Sequence, residues 1–166
     1  MKIEDNYLDQ EKFDELQTII MGKRIDWYYN DGIDYKENDK FQFTHLFYHV
    51  RGPHSILFEK LEIILEIINP ILLWRIKANL LTKTSNIIEN KFHIDMMEVS
   101  EEKVKQLTTS IFYVNTNNGY TTFEDGTKVE SVANRMITFP ANLKHTGTSC
   151  TDEKIRVVIN FNYFAP

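Results

Sequence analysis

Apolar positions recur with helical spacing in only two places along this chain, both before residue 70. Elsewhere they recur with the two-residue spacing of strands. From Asp9 to Met21, Phe13, Leu16 and Ile20 fall on one helical face, and Gly22 follows as a stop signal. Between Pro53 and Pro70, the run Ser55 to Ile68 is apolar around nearly its whole circumference, with Glu59, Glu62 and Glu66 as the polar stripe. That pattern predicts a largely buried helix with one wet edge. Strands are predicted over Arg24–Tyr29, Phe41–Val50, Leu72–Leu81, Lys91–Asp95, Thr108–Asn115, Tyr120–Glu124, Thr127–Val132, Arg135–Phe139, Lys144–Thr148 and Ile155–Phe164. Asp125-Gly126, between two of these runs, is a two-residue hairpin signal. A mainly β chain (α+β) follows, an antiparallel sandwich or barrel whose outer face is braced by the two N-terminal helices.

Composition narrows the class. With 166 residues, 42% of them hydrophobic and only six Gly and four Pro, the chain is expected to form one globular domain spanning 1–166. Its net charge of −5 argues against nucleic acid as the main partner, because phosphate binding calls for a basic surface. A single cysteine, Cys150, allows no internal disulfide and fits a reducing, cytoplasmic location. The first residues, MKIEDNYLDQ, hold no apolar signal region, and no apolar run is long enough for a membrane helix.

Candidate chemistry centres on KFHIDMM. His93 and Asp95 lie one residue apart, and side chains at i and i+2 of a strand point to one face. Taken alone, such a pair is as readily a satisfied polar pair at a strand end. His145, in NLKHTGTSC on a separate predicted strand, offers a third ligand. Two imidazoles and a carboxylate on one face of an Fe(II) ion leave the opposite face open, although zinc accepts the same set. If that open face held a dicarboxylate, a cation would have to grip its far end, and Arg suits this through its planar fork. Arg156 opens the strand IRVVINFNYF, where Ile155, Val157, Ile159 and Phe161 alternate with Arg156, Val158, Asn160 and Asn162. The first set should pack under the helices and the second should line the barrel interior.

Other residues have blander readings. His45 and His49 in FTHLFYHV share one face, one expected at the mouth of the site and the other packed; the segment lacks a third ligand for a second metal. Trp27, Tyr28, Tyr29 and Phe47 are expected to fill the core. Cys150 reads as a buried strand-end residue, Gly119 as a turn residue, and Glu98–Lys105 as a solvated loop or helical turn that could gate the site.

Three stretches, FHIDMM, then TTSIFYVNTNNGYTTFEDGTKVESVANRMITFPANLKHTGTS, then EKIRVVINFNY, resemble the core of the Fe(II)/2-oxoglutarate-dependent oxygenases. The nearest branch is the prolyl-4-hydroxylase-like one, with its short stand-alone phage members. The resemblance runs from about Phe41 to Tyr163 and is clearest from Lys91 onward. It implies a double-stranded β-helix (a jelly-roll, cupin-like core) over about 70–164, with residues 1–70 as support. It implies iron at His93, Asp95 and His145, and the far carboxylate of 2-oxoglutarate at Arg156. IFYVN matches a family strand whose second aromatic adds a hydroxyl to that carboxylate, pointing to Tyr113, and RIKANLL places Asn79 against the co-substrate. The cofactors implied are Fe(II), 2-oxoglutarate and O2, with ascorbate as a candidate accessory. The activity implied is hydroxylation of an unactivated C–H bond in a small-molecule or peptidyl substrate, in the cytoplasm (the host's, if phage-encoded). The nucleic-acid demethylases of the superfamily carry a second Arg where this chain has Asn162, which sets that branch aside. A non-catalytic cupin-like binding module and a zinc-dependent hydrolase using the same ligands remain the rival classes.

Overall fold

The computed structural model describes residues 1–33, 40–96 and 99–166. The described residues form strands and helices in the chain order β1 (Lys2–Glu4), α1 (Gln10–Ile20), β2 (Tyr28–Asn30), β3 (Gln42–His49) and β4 (Gly52–Pro53). A 3-10 turn (Ile56–Leu61) runs into α2 (Glu62–Ile68), followed by β5 (Leu72–Thr82) and α3 (Glu101–Val104). The remainder is β6 (Thr108–Tyr113), β7 (Tyr120–Phe123), β8 (Lys128–Glu130), β9 (Arg135–Pro140), β10 (His145–Gly147) and β11 (Ile155–Phe164). All described strand pairs are antiparallel. One sheet has the order β1-β9-β6-β11-β5-β3-β2 with β4 attached to β3, and the second has the order β10-β7-β8. This is the double-stranded β-helix, braced by two N-terminal helices.

The large sheet separates two apolar layers. On one side Phe13, Leu16 and Ile20 of α1 and Leu61 and Ile64 of the second helical segment pack on Ile76 and Ala78 of β5, Phe112 of β6 and Val157, Ile159 and Phe161 of β11. On the other side Ile111, Tyr113, Ile137, Phe139 and Val158 meet Phe123 and Val129 of the small sheet. Alternation along β11 therefore sends odd positions to the helices and even positions to the space between the sheets, as the sequence pattern implies. The Asp125-Gly126 turn joins β7 to β8, with Gly126 at φ +86° and the Thr127 amide donating to the Asp125 carboxylate at 2.9 Å.

Four local readings need correction. The segment 91–95 is no strand: Glu89 bridges Thr148 and His93 bridges His145, so three residues between the bridges on one side face two on the other, and the extra residue breaks the ladder. The run 55–68 begins as a 3-10 turn, capped by Ser55 Oγ accepting from the Leu57 amide at 3.1 Å. At three residues per turn Phe58 and Leu61 align on the core side of the 3-10 turn and Ile64 of α2 joins them, while Ile56 and Ile67 are exposed and the run is only half-buried. Tyr28 and Tyr29 are 63% and 61% exposed on the edge strand β2, Tyr29 resting against Phe41 and Phe43, whereas Phe47 is fully buried. His45 and His49 do not share a face: a register shift between Leu46 and Tyr48 sets His49 opposite Arg75, and neither histidine lines the cavity between the sheets. His45 lies opposite Ala78, on the helix side of the sheet, and is held by the Asp26 carbonyl and the Ser55 hydroxyl at 2.7 and 2.8 Å.

The strands β1 and β4 and the helix α3 are too short to announce themselves by period. In the Glu98–Lys105 run, Glu98 lies outside the described residues, while Val104 of α3 is anchored among Met96, Leu107 and Ala141. Among the described residues no helix is long and apolar enough to cross a membrane.

Phe112 sits at the centre of the helix-facing layer, its ring 6.1 Å from that of Phe13 and 6.3 Å from that of Tyr7. Phe112→Ala should cost about 3–5 kcal/mol of stability through the cavity it leaves. Urea unfolding should show a lower midpoint with an unchanged slope.

Candidate active site

Even-numbered residues of β11 and odd-numbered residues of β5 face one cavity of about 70 Å³ between the sheets. Lys77, Asn79 and Leu81 line it from β5, Arg156, Val158 and Asn160 from β11, Thr121 from β7, and His145 and Gly147 from β10. Asn90, His93 and Asp95 close it from the irregular segment before α3. The three ligand candidates named from the sequence thus meet: one ligand atom from each of His93, Asp95 and His145 lies within 4.8 Å of the others. His93 Nε2 and His145 Nε2 stand 3.8 and 3.9 Å from Asp95 Oδ1.

The chemistry of these donors fits a divalent cation. Each imidazole faces the carbonyl of the residue two before it, His93 Nδ1 at 3.0 Å from Lys91 O and His145 Nδ1 at 3.1 Å from Leu143 O. A carbonyl only accepts, so Nδ1 carries a proton in both rings, and Nε2, the atom turned toward Asp95, is the one left to bind an ion. Backbone holds the two histidines together as well: His93 N donates to His145 O, and His145 N to His93 O, both at 3.0 Å.

The Asp95 side chain is only 6% exposed. Burial pushes its pKa up, but His145, Arg75, His93 and Lys77 together outweigh burial and hold it below the ordinary carboxylate range. Asn160 Nδ2 donates to its two oxygens at 3.4 and 3.2 Å and Asn162 Nδ2 to Oδ2 at 3.3 Å. Where the sequence comparison with demethylases shows only a missing Arg, the structure gives Asn162 this occupation.

At the other end of the cavity lies Arg156, 3% exposed. Its Nε donates to Ser131 Oγ at 2.8 Å and its Nη2 to Thr121 Oγ1 at 3.2 Å. Burial draws its pKa down, with Tyr113 and Cys150 opposing. Among the described residues no carboxylate pairs with it. Its guanidinium also lies 5.7 Å from the centre of the Tyr113 ring; a guanidinium buried without a carboxylate partner is costly, and an anion arriving in the cavity would relieve that cost. Two glycines make room for it: a Cβ on Gly147 would stand 3.1 Å from Arg156 Nη1, and one on Gly119 would stand 2.8 Å from Arg156 Cδ and 2.7 Å from Ser149 O.

Asn79 lines the cavity, on the same face as Lys77. Tyr113 is fully buried, its pKa raised by burial, and its hydroxyl donates to Thr121 Oγ1 at 2.8 Å. Thr121 therefore stands between Tyr113 and the cavity and accepts from Tyr113 and Arg156 together. Sequence reasoning missed Thr121, Ser131, Lys77 and Arg75. Lys77 and Arg75 were legible in principle, since RIKANLL alternates charged or polar with apolar residues; Thr121 and Ser131 carried no distinguishing signal. Cys150 is buried, its thiol pKa raised by burial, and it donates to the Glu153 carbonyl, which suits a structural residue.

No protein-family model matches the chain, and no curated protein matches it. Solved structures do. A viral collagen prolyl hydroxylase from Paramecium bursaria Chlorella virus-1, solved with 2-oxoglutarate, is 15% identical over 99% of this chain and 96% of its own, with a TM-score of 0.59. A prolyl hydroxylase from Trichoplax adhaerens, in complex with a hypoxia-inducible-factor peptide fragment, is 11% identical over 99% and 83%, at 0.66. HygX from Streptomyces hygroscopicus, with nickel, 2-oxoglutarate and hygromycin B bound, is 10% identical over 98% and 82%, at 0.63. The protein thus has the fold of the 2-oxoglutarate-dependent oxygenases, prolyl hydroxylases among them. At these identities the likeness is one of fold.

The two glycines beside Arg156 should respond differently to an added methyl. Gly119→Ala meets a backbone carbonyl and should cost about 1–3 kcal/mol. Gly147→Ala meets only the end of a long side chain and should change stability by less than Gly119→Ala. Parallel denaturant melts of the two variants check this.

Proposed function

We propose that the protein is a Fe(II)- and 2-oxoglutarate-dependent oxygenase that hydroxylates an unactivated C–H bond, acting as one oxygenase domain. The observation that carries this reading is the pairing, in one cavity, of a His–Asp–His cluster with a buried arginine that has no carboxylate partner among the described residues. Either feature alone has other uses. Together they match a ligand that is a chelate at one end and a carboxylate at the other. Arg156 and Asn160, which is beside Asp95, are four positions apart on β11, about 13 Å of strand, an interval that the long Arg side chain and a five-carbon dicarboxylate would share.

His93, Asp95 and His145 would hold the ion through Nε2, a carboxylate oxygen and Nε2. Bound iron supplies the activation of O2, one oxygen atom entering the substrate as hydroxyl and the other entering succinate as 2-oxoglutarate loses CO2. Arg156 would bind the far carboxylate, with Thr121 beside it and Tyr113 acting through Thr121. Asn79 would contact the co-substrate from β5. Val158, Ile111 and Leu81 line the same cavity and would help keep water from the bound co-substrate.

The substrate we infer is a small molecule or a peptide side chain. Related folds accommodate both kinds, hygromycin B in one and a peptide fragment in another. The acidic charge and Asn162 speak against nucleic acid, and the lone Cys150 fits a reducing cytoplasm.

Anaerobic addition of Fe(II) and 2-oxoglutarate to metal-free protein should produce a visible metal-to-ligand charge-transfer band. His145→Ala should abolish it. Arg156→Met should retain it while requiring at least about tenfold more 2-oxoglutarate, the loss expected for a hydrogen-bonded charge contact. Folded wild-type protein that gives no band would refute the oxygenase reading and favour a binding module or a zinc hydrolase.

A further inference from the structure

Asp95 is the one carboxylate of the His–Asp–His cluster, yet it sits on a segment that has left the sheet. The bridge from His93 to His145 fixes the chain two residues earlier, and a turn follows. Arg75 reaches this point from β5. Its Nη2 donates to the Asp95 main-chain oxygen at 2.8 Å, and the same nitrogen lies 4.0 Å from Asp95 Oδ1. Its Nε donates to Asn162 Oδ1 at 3.2 Å, directly across the β5–β11 ladder, where Arg75 and Asn162 are register partners. The Arg75 side chain is 13% exposed.

The second of these bonds has a consequence for the carboxylate. An amide group can turn over, exchanging its oxygen and nitrogen. With Asn162 Oδ1 occupied by a guanidinium donor, Nδ2 must point the other way, where it donates to Asp95 Oδ2 at 3.3 Å and to Thr109 Oγ1 at 3.0 Å. Without that donor the amide could turn and set an oxygen against a buried carboxylate. We propose that Arg75 is the positioning residue of the metal centre: its fork fixes the Asp95 peptide with one arm and the polarity of Asn162 with the other. It touches none of the reacting groups. This inference rests on the metal-binding reading of His93, Asp95 and His145 and adds to it the residue that orients the carboxylate.

Charge and fork can be separated by substitution. Arg75→Lys keeps a cation near Asp95 and loses the paired donors, whereas Arg75→Met loses both. Co(II) binding to metal-free protein, followed by its visible absorption and by calorimetry, reads the centre without turnover. Both variants should bind Co(II) about 10–100-fold more weakly than wild type, with an altered band envelope. His93→Ala serves as the control for a lost ligand. Wild-type affinity in the Arg75→Lys variant would show that charge alone matters and overturn the proposal. So would affinities and spectra unchanged in both variants, even if their melting temperatures fall, since that is what a purely structural arginine would do. Wild-type protein that binds no Co(II) would overturn the metal reading and this inference with it; tight wild-type binding with indifferent Arg75 variants would overturn the inference alone.

Discussion

A ten-residue strand at the middle of the large sheet has to satisfy two opposed environments at once. One face of β11 must be apolar because α1 and α2 press on it; the other must be polar because it is the wall of a cavity. Strict alternation from Arg156 to Asn162 meets both demands, and a slip of one residue would exchange them. Its neighbours β5 and β6 are bound by the same rule, since they are hydrogen-bonded on either side and must present matching faces. Asn79 lies opposite Val158 and Lys77 opposite Asn160, so the polar wall continues across the ladder. That one register places the wall that β5 and β11 give the cavity, while His145 and Thr121 come from the small sheet and His93 and Asp95 from the segment before α3.

The polar wall is held under electrical tension. Arg156 rests on two hydroxyls and the Tyr113 ring in a place that would suit an anion, and Asp95 is kept charged by a surround of amides and cations. Each is more costly in isolation than an apolar residue of the same size would be. Such a cavity is built for charged company rather than for stability, the usual exchange between holding a fold and holding a ligand. Gly119 and Gly147 are part of the same arrangement, because the guanidinium occupies room that side chains would otherwise fill.

Much of this was legible before any coordinates. The period of two along IRVVINFNYF puts Arg156 and the asparagines together, and the packing agrees: Val157, Ile159 and Phe161 lie under the helices while Arg156, Val158 and Asn160 line the cavity. His93, Asp95 and His145 could be named as candidates from residue type and order. What failed was the assumption that period alone makes a strand: KFHID alternates suitably, but one extra residue against β10 takes it off the ladder. Tyr28 and Tyr29 misled for a related reason, since aromatic content signals a core only where something covers the strand, and β2 is an edge. Thr121 and Ser131 carry no signal in the sequence, because their importance arises from partners distant in the chain.

The reciprocal backbone bridge between His93 and His145 carries a consequence for how the chain matures. Those residues are far apart in sequence, and β6, β7, β8 and β9 all lie between them. Closing that loop is entropically expensive and is repaid only when the intervening strands have paired. The two imidazoles therefore come together late, after the sheets exist. A nascent or partly unfolded chain would hold neither the spacing nor the ring orientations of the cluster, so the cluster exists only in the finished barrel.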